Sequence, residues 1–107
     1  MNNILIVVNC TNIREAQRKL ESNIEGTNRL PHGAKFAFGL LPFLEELEAK
    51  GQLPHLARFL NERGLVTPAG KRWGPITVSR LMATFAEIIR ESSRIHAHLP
   101  KQHYSRN

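Results

Sequence analysis

Residues 56–82 read "LARFLNERGLVTPAGKRWGPITVSRLM", and the way this stretch is divided decides the fold. Pro54 is a favoured first helical residue, and Leu56, Ala57 and Leu60 then supply one apolar face. Arg58 and Glu62 sit i,i+4 on the outside, and Gly64 is a stop signal. The next ten residues have no apolar period. They hold Thr67, Pro68, Gly70, Lys71, Arg72 and the single tryptophan, Trp73. Gly74-Pro75 is a start signal, with Gly tolerated at the N-cap and Pro favoured behind it. Beyond it, Val78, Leu81, Met82, Phe85, Ile88, Ile89 and Ile95 recur at helical spacing, with Ser92 in the one slot that breaks the apolar series. The stretch is therefore two amphipathic helices joined by a basic link punctuated by Pro and Gly.

Toward the N-terminus, Leu40, Leu41, Leu44 and Leu47 mark a helix from about Phe36 to Ala49, with Pro42 placed in its first turn and Gly51 after its end. Glu45, Glu46 and Glu48 form its wet face. They are carboxylates with no other reactive group in view, so catalysis is not expected of them. Glu25 to Gly33 is a turn-rich linker. Thr11 or Asn12, assisted by Glu15, caps a helix to about Ile24 whose narrow stripe is Ile13, Ala16, Leu20 and Ile24. Asn2 to Asn9, "NNILIVVN", is β-branched and apolar. It predicts a strand or a buried extended arm, and a lone strand needs a partner such as its own copy in a dimer. The last residues, "HLPKQHYSRN", lack periodicity and read as a tail.

The expected fold is thus mainly α: a helix-turn-helix bundle of about four helices with a short N-terminal β-strand or extended arm. Residues 1–32 form the arm, first helix and linker, a possible dimerisation element. Residues 33–96 form the helix-turn-helix domain, and residues 97–107 a basic flexible tail.

At 107 residues the chain is of ordinary single-domain size. Its one cysteine, Cys10, allows neither an internal disulfide nor a Cys-based zinc site, which fits a reducing, cytoplasmic setting. The most apolar run, Ile4 to Val8, is too short for a signal-peptide core or a bilayer span, so a soluble protein with no membrane partner is expected. The net charge of +6 is unevenly placed: residues 1–53 balance six Lys/Arg against six Asp/Glu, whereas residues 54–107 hold nine against three. A polyanion-binding face has this asymmetry, because neutralising phosphates releases condensed counterions. A solubilising basic surface has it too.

Two helices that bury stripes against each other and a third helix describe a helix-turn-helix domain, whose second helix enters the major groove. If Val78, Leu81, Met82 and Phe85 face the core, then Ile76, Thr77, Ser79, Arg80, Ala83 and Thr84 face outward. Arg binds guanine bidentately, and hydroxyls meet bases or phosphates. Thr77, Ser79, Arg80 and Thr84 are the expected reading residues. Lys71 and Arg72 lie just before the helix, near its phosphate-attracting N-terminus. Arg58 and Arg63 are open between phosphate contacts and solvated helix charge. Trp73 is expected to plug the link onto the core, with its N–H finding a partner. His96, His98 and His103 read as part of a polar tail and not as metal ligands, since an i,i+2 pair does not share a helix face.

The same stretch resembles the helix-turn-helix segment found downstream of the catalytic domain in large serine recombinases and site-specific resolvases. The resemblance rests on Ala57, Leu60, Asn61, Gly64, Leu65, Thr67, Pro68, Gly70, Trp73, Thr77, Val78 and Leu81 at the family's offsets, and with "FLEELEAKGQ" it spans about residues 33–86. It implies that Asn61 and Gly64 shape a helix end, that Thr67-Pro68 holds the link extended and that Gly70 turns it. The chain departs from the family at Gly74, where Ser is frequent, at Met82, where Leu is usual, and at Ser79, where a basic residue is frequent. It has no room for the family's catalytic domain and no cysteines for its zinc ribbon. The expected function is therefore a small non-catalytic protein that binds double-stranded DNA, a regulator of transcription or a recombination accessory factor. It is expected to act as a homodimer and to need no cofactor. The alternative is a protein-interaction adaptor that retains the fold and binds a protein partner through Leu/Phe positions between Phe36 and Phe43.

Overall fold

A computed structural model describes the backbone of residues 7–22 and 30–104, with side chains as far as Ile95. It contains four α-helices: α1 (Cys10–Ser22), α2 (Ala34–Ala49), α3 (Leu56–Glu62) and α4 (Pro75–Tyr104). A 3-10 turn over Leu53–His55 leads into α3. The mainly helical expectation holds. Val7 to Asn9 are not in a strand, and the rest of the apolar run from Asn2 lies outside the described residues, as does the pairing expected of it.

α1 starts earlier than its sequence predicts. Asn9, not Thr11 or Asn12, is the cap: its Oδ1 accepts the Asn12 backbone N–H at 2.8 Å, while the Asn12 side chain donates to the Val7 carbonyl at 2.8 Å. The next free donor of the helix end, the Cys10 N–H, is taken by the Glu48 carboxylate of α2 at 3.3 Å, which also places negative charge at the positive end of the helix. This tertiary partner lies 38 residues away and left no local trace at the cap. Ile24 falls outside the described residues.

α2 begins at Ala34, behind Gly33 in the left-handed region at φ 82°. Pro42 therefore lies in its middle and not in its first turn. It has no N–H for the Phe38 carbonyl, a loss of about 3 kcal/mol in an isolated helix. Ala37, Leu40, Leu41, Leu44 and Leu47, all buried on the other face, hold the helix together across that gap. Leu40 and Leu41 are thus core residues. Of the Leu/Phe positions between 36 and 43, Phe36 is the exposed one and Phe38 and Phe43 are half-buried, so the surface this stretch offers is made by its phenylalanines and not by its leucines.

Each of the three acids of α2 has a polar partner. Glu45 receives a two-pronged hydrogen bond from Arg14 of α1, at 2.7 and 2.8 Å. Glu46 meets Lys50 at 3.4 Å and Arg63 at 3.9 Å, and Glu48 holds the Cys10 N–H. The Arg14 hydrogen bond keeps the Glu45 carboxyl below the usual carboxylate range. Burial, followed by the nearby Glu48 charge, pushes the Cys10 thiol up to about 12.

The core is continuous. Phe85 and Ile88 of α4 lie fully buried with Ile13 of α1, Leu41 and Leu44 of α2, and Leu56 and Leu60 of α3. α1 packs chiefly along α4, so the helix assigned to residues 1–32 shares the core of the rest and is not a separate unit. Ser92, the polar residue in the α4 stripe, is buried and donates its hydroxyl to the Ile89 carbonyl at 2.8 Å. α4 continues to Tyr104, through residues expected as a tail. Extending a formed helix needs no new nucleus, so a segment without apolar period can still propagate it. Among the described residues no helix is long and apolar enough to cross a membrane.

Candidate nucleic-acid interface

The link between α3 and α4, residues 63–74, is longer than the turn of three or four residues in the simplest helix-turn-helix. A chain of named hydrogen bonds holds it. Gly64, in the left-handed region at φ 76°, closes α3: its N–H donates to the Asn61 carbonyl at 3.0 Å and the Leu65 N–H donates to the Leu60 carbonyl at 3.0 Å. This is the paired-bond helix ending for which glycine is preferred.

Thr67, Pro68, Ala69 and Gly70 then fold back. The Gly70 N–H donates to the Thr67 carbonyl at 2.7 Å and the Thr67 N–H donates to the Lys71 carbonyl at 2.9 Å. Gly70 has φ 79°, the left-handed residue that a three-residue hairpin turn requires after its first bend. The Thr67 hydroxyl accepts the Lys71 N–H at 3.1 Å, which accounts for its burial. The turn therefore presents Lys71 and Arg72 as exposed side chains on a short, internally bonded finger.

The link is fastened to the core at Trp73. The Asn61 carboxamide donates from Nδ2 to the Trp73 carbonyl at 3.0 Å and accepts the Trp73 N–H on Oδ1 at 2.8 Å. One side chain thus acts as a strand partner for one backbone residue. The indole is 5 % exposed and stacks on Phe36 of α2, with ring centroids 6.2 Å apart and planes at 17°. The anchoring role expected of Trp73 is met. The hydrogen-bond partner expected for its indole is not: among the described residues the buried Nε1 has none. The sequence offers Phe36 only as the start of a helix and of the alternative partner-binding stretch, not as a contact of Trp73, although its position off the Ala37, Leu40, Leu41, Leu44 stripe is a signal that it serves another contact.

α4 starts immediately behind this anchor. Gly74 has no side chain with which to cap, and Thr77 does the work from inside the first turn. Its Oγ1 accepts the Gly74 N–H at 2.8 Å and donates to the Gly74 carbonyl at 3.0 Å. Thr77, expected as a reading residue, is half-buried with its hydroxyl committed to that cap. Thr84 is half-buried and donates to the Arg80 carbonyl at 3.1 Å. Ser79, Arg80 and Ala83 are exposed. So is Ile76, at 67 %, an apolar residue off the buried stripe that belongs to the same outward surface.

Of the expected site residues, Thr77, Arg80 and Thr84 are brought together around one cleft, closed by the Thr67–Ala69 turn and by the start of α2. Arg58 and Arg63 are placed elsewhere, on α3. Arg58 borders a different cleft with His55, Phe59 and Glu62. The Arg63 guanidinium lies 4.2 Å over the Phe59 ring and 3.9 Å from Glu46, an intramolecular engagement. Between Glu62 and Glu87 the chain has no acidic residue, while Arg63, Lys71, Arg72 and Arg80 all fall in that interval. The link and the first half of α4 therefore form a cationic segment with no internal neutralisation along the sequence. Among the described residues no group of three or more His, Cys, Asp or Glu could hold a metal ion. His96, His98 and His103 lie beyond the described side chains. No family model matches the chain, and neither a curated protein nor a solved structure matches it.

Proposed function

We propose that this chain is a non-catalytic double-stranded DNA-binding protein, a regulator or recombination accessory factor, that reads DNA with the first half of α4 and grips the phosphates with the link before it. The observation that carries the reading is the acid-free interval from Arg63 to Ala86, together with the exposure of Lys71, Arg72, Ser79 and Arg80 within it. Arg80 is the residue for base-edge recognition, and Lys71 and Arg72 supply sequence-independent phosphate attraction. Ile76 adds an apolar side chain of the kind that meets thymine methyl groups. The residues that resemble the recombinase segment support the same assignment, since Asn61, Gly64, Thr67, Gly70 and Trp73 are the residues that shape the link. One reading head of this size favours action as a homodimer on a two-fold repeated site.

Salt-dependent duplex binding tests the proposal. Each phosphate contact contributes about 0.9 to the slope of log K against log salt, so the triple variant Lys71→Ala, Arg72→Ala, Arg80→Ala is expected to lose up to about 2.7 of that slope along with affinity. An unchanged slope in the triple variant would remove these residues from the interface. Selection from random duplex followed by footprinting is expected to return a two-fold repeat. No duplex binding at low salt would overturn the DNA reading itself.

A further inference from the structure

The cleft beside Arg80 has a volume of about 370 Å³, within the range of small-molecule sites. Its walls are Phe36 and Trp73 on one side, Pro68 and Ala69 of the turn on another, and Leu81 of α4. Phe36 stacks on Trp73 and remains 37 % exposed, so aromatic surface is offered to an occupant. Arg80 brings a cation to the lining and His32 an imidazole, while the Trp73 indole N–H is buried out of reach of an occupant. No Asp or Glu lines the cleft. Apolar ring walls and a cation without a lining acid together select one ligand chemistry.

We infer that this cleft binds a small aromatic carboxylate, the ring against Phe36 and Trp73 and the carboxylate taken by Arg80. Because Arg80 belongs to the proposed DNA-reading surface, occupancy of the cleft and DNA binding oppose each other. This second part rests on the DNA reading, whereas the ligand site does not.

The chain has one tryptophan, so a proton–nitrogen correlation spectrum contains one indole signal, and it reports directly on the cleft. Titration with phenylacetate is expected to shift that signal saturably. Phenylacetamide, of similar shape and uncharged, is expected to bind about tenfold or more weakly, as is phenylacetate to Arg80→Gln, since a charge-assisted contact is lost in each. Ala69→Phe narrows the cleft without altering Arg80 and is expected to weaken phenylacetate binding, with the remaining spectrum reporting that the variant is folded. An indole signal that fails to move with phenylacetate, or that moves equally with the amide, overturns the site. If the indole signal responds but saturating phenylacetate leaves duplex affinity unchanged, the antagonism is overturned. If the protein binds no duplex while the indole signal still responds, the DNA reading fails and the ligand site stands.

Discussion

Replacing Asn61 tests how the link is held. Its carboxamide makes two hydrogen bonds to the backbone of Trp73, at 2.8 and 3.0 Å, and Trp73 is buried against Phe36. Asn61→Ala deletes both bonds and leaves a backbone N–H and a carbonyl in a shielded position. Each unsatisfied buried group costs about 1–3 kcal/mol, or about 2–6 kcal/mol for the two. Because both bonds are only partly buried, the substitution is expected to destabilise the fold by the lower part of that range, about 2–4 kcal/mol, falling toward 1 if water enters the gap. Asn61→Leu keeps the bulk and loses both bonds, so it should be at least as harmful as the alanine variant. Asn61→Asp retains an acceptor for the Trp73 N–H but sets a carboxylate oxygen against the Trp73 carbonyl, and should not rescue the loss. Urea denaturation followed by far-UV circular dichroism gives the free energy, and emission from the single tryptophan reports separately whether the indole has left its site. A loss below about 0.5 kcal/mol for Asn61→Ala, with unchanged emission, would refute the clamp, because two well-formed shielded bonds exceed that value on any accounting.

Three further outcomes follow from individual contacts. Gly39→Ala places a methyl group in open space inside α2 and is expected to stabilise by up to about 1 kcal/mol, whereas Gly64→Ala, equally unhindered but at φ +76°, is expected to destabilise by about 1–2 kcal/mol; equal effects at the two sites would contradict the backbone assignment. The Arg14–Glu45 pair is about 40 % and 36 % exposed, so a double-mutant cycle with Arg14→Gln and Glu45→Gln should give a coupling of at most about 1 kcal/mol near pH 7. Because folding depresses the Glu45 pKa, that coupling is fully present above the ordinary carboxylate range and should disappear as pH falls through the lower, folded-state value; a coupling that grows with acidification would contradict a pairing with ionised Glu45. Cys10, with its thiol pushed up to about 12, should react with thiol reagents near pH 8 about a thousandfold more slowly than a free cysteine, and at the ordinary rate in urea. The raised value also means that stability should fall as pH climbs from the ordinary thiol range toward about 12, and Cys10→Ala should flatten that loss.

Much of the architecture was legible because helical periodicity is a local property. The Val78, Leu81, Phe85, Ile88 stripe, the stop at Gly64 and the start at Gly74-Pro75 each depend on residues within a few positions of one another, and all three hold. Where a reading failed, either a distant partner or a local side-chain bond that helical periodicity does not show decided the outcome. The α1 cap moved to Asn9 in a structure where Glu48 takes the next backbone donor. Pro42 sits in mid-helix with the leucines around it buried against other helices. The outward positions of α4 were identified as a set, but Thr77 and Thr84 turned out half-buried, their hydroxyls spent on backbone carbonyls and a cap.

Residue order alone determined that this chain makes amphipathic helices, that a glycine-turned basic link precedes the longest of them, and that its excess positive charge falls in its second half. Those are properties of spacing and composition, and no folding partner is needed to read them. The tertiary structure decided which helices share a core, that Asn61 clamps Trp73 across twelve positions, and that Phe36, Trp73 and Arg80 meet at one cleft. The physical reason is that periodicity specifies which face of a helix is apolar but not which neighbour covers it, and the anchor of the link at Trp73 is set by contacts with Asn61 and Phe36, which adjoin it only after the chain has closed.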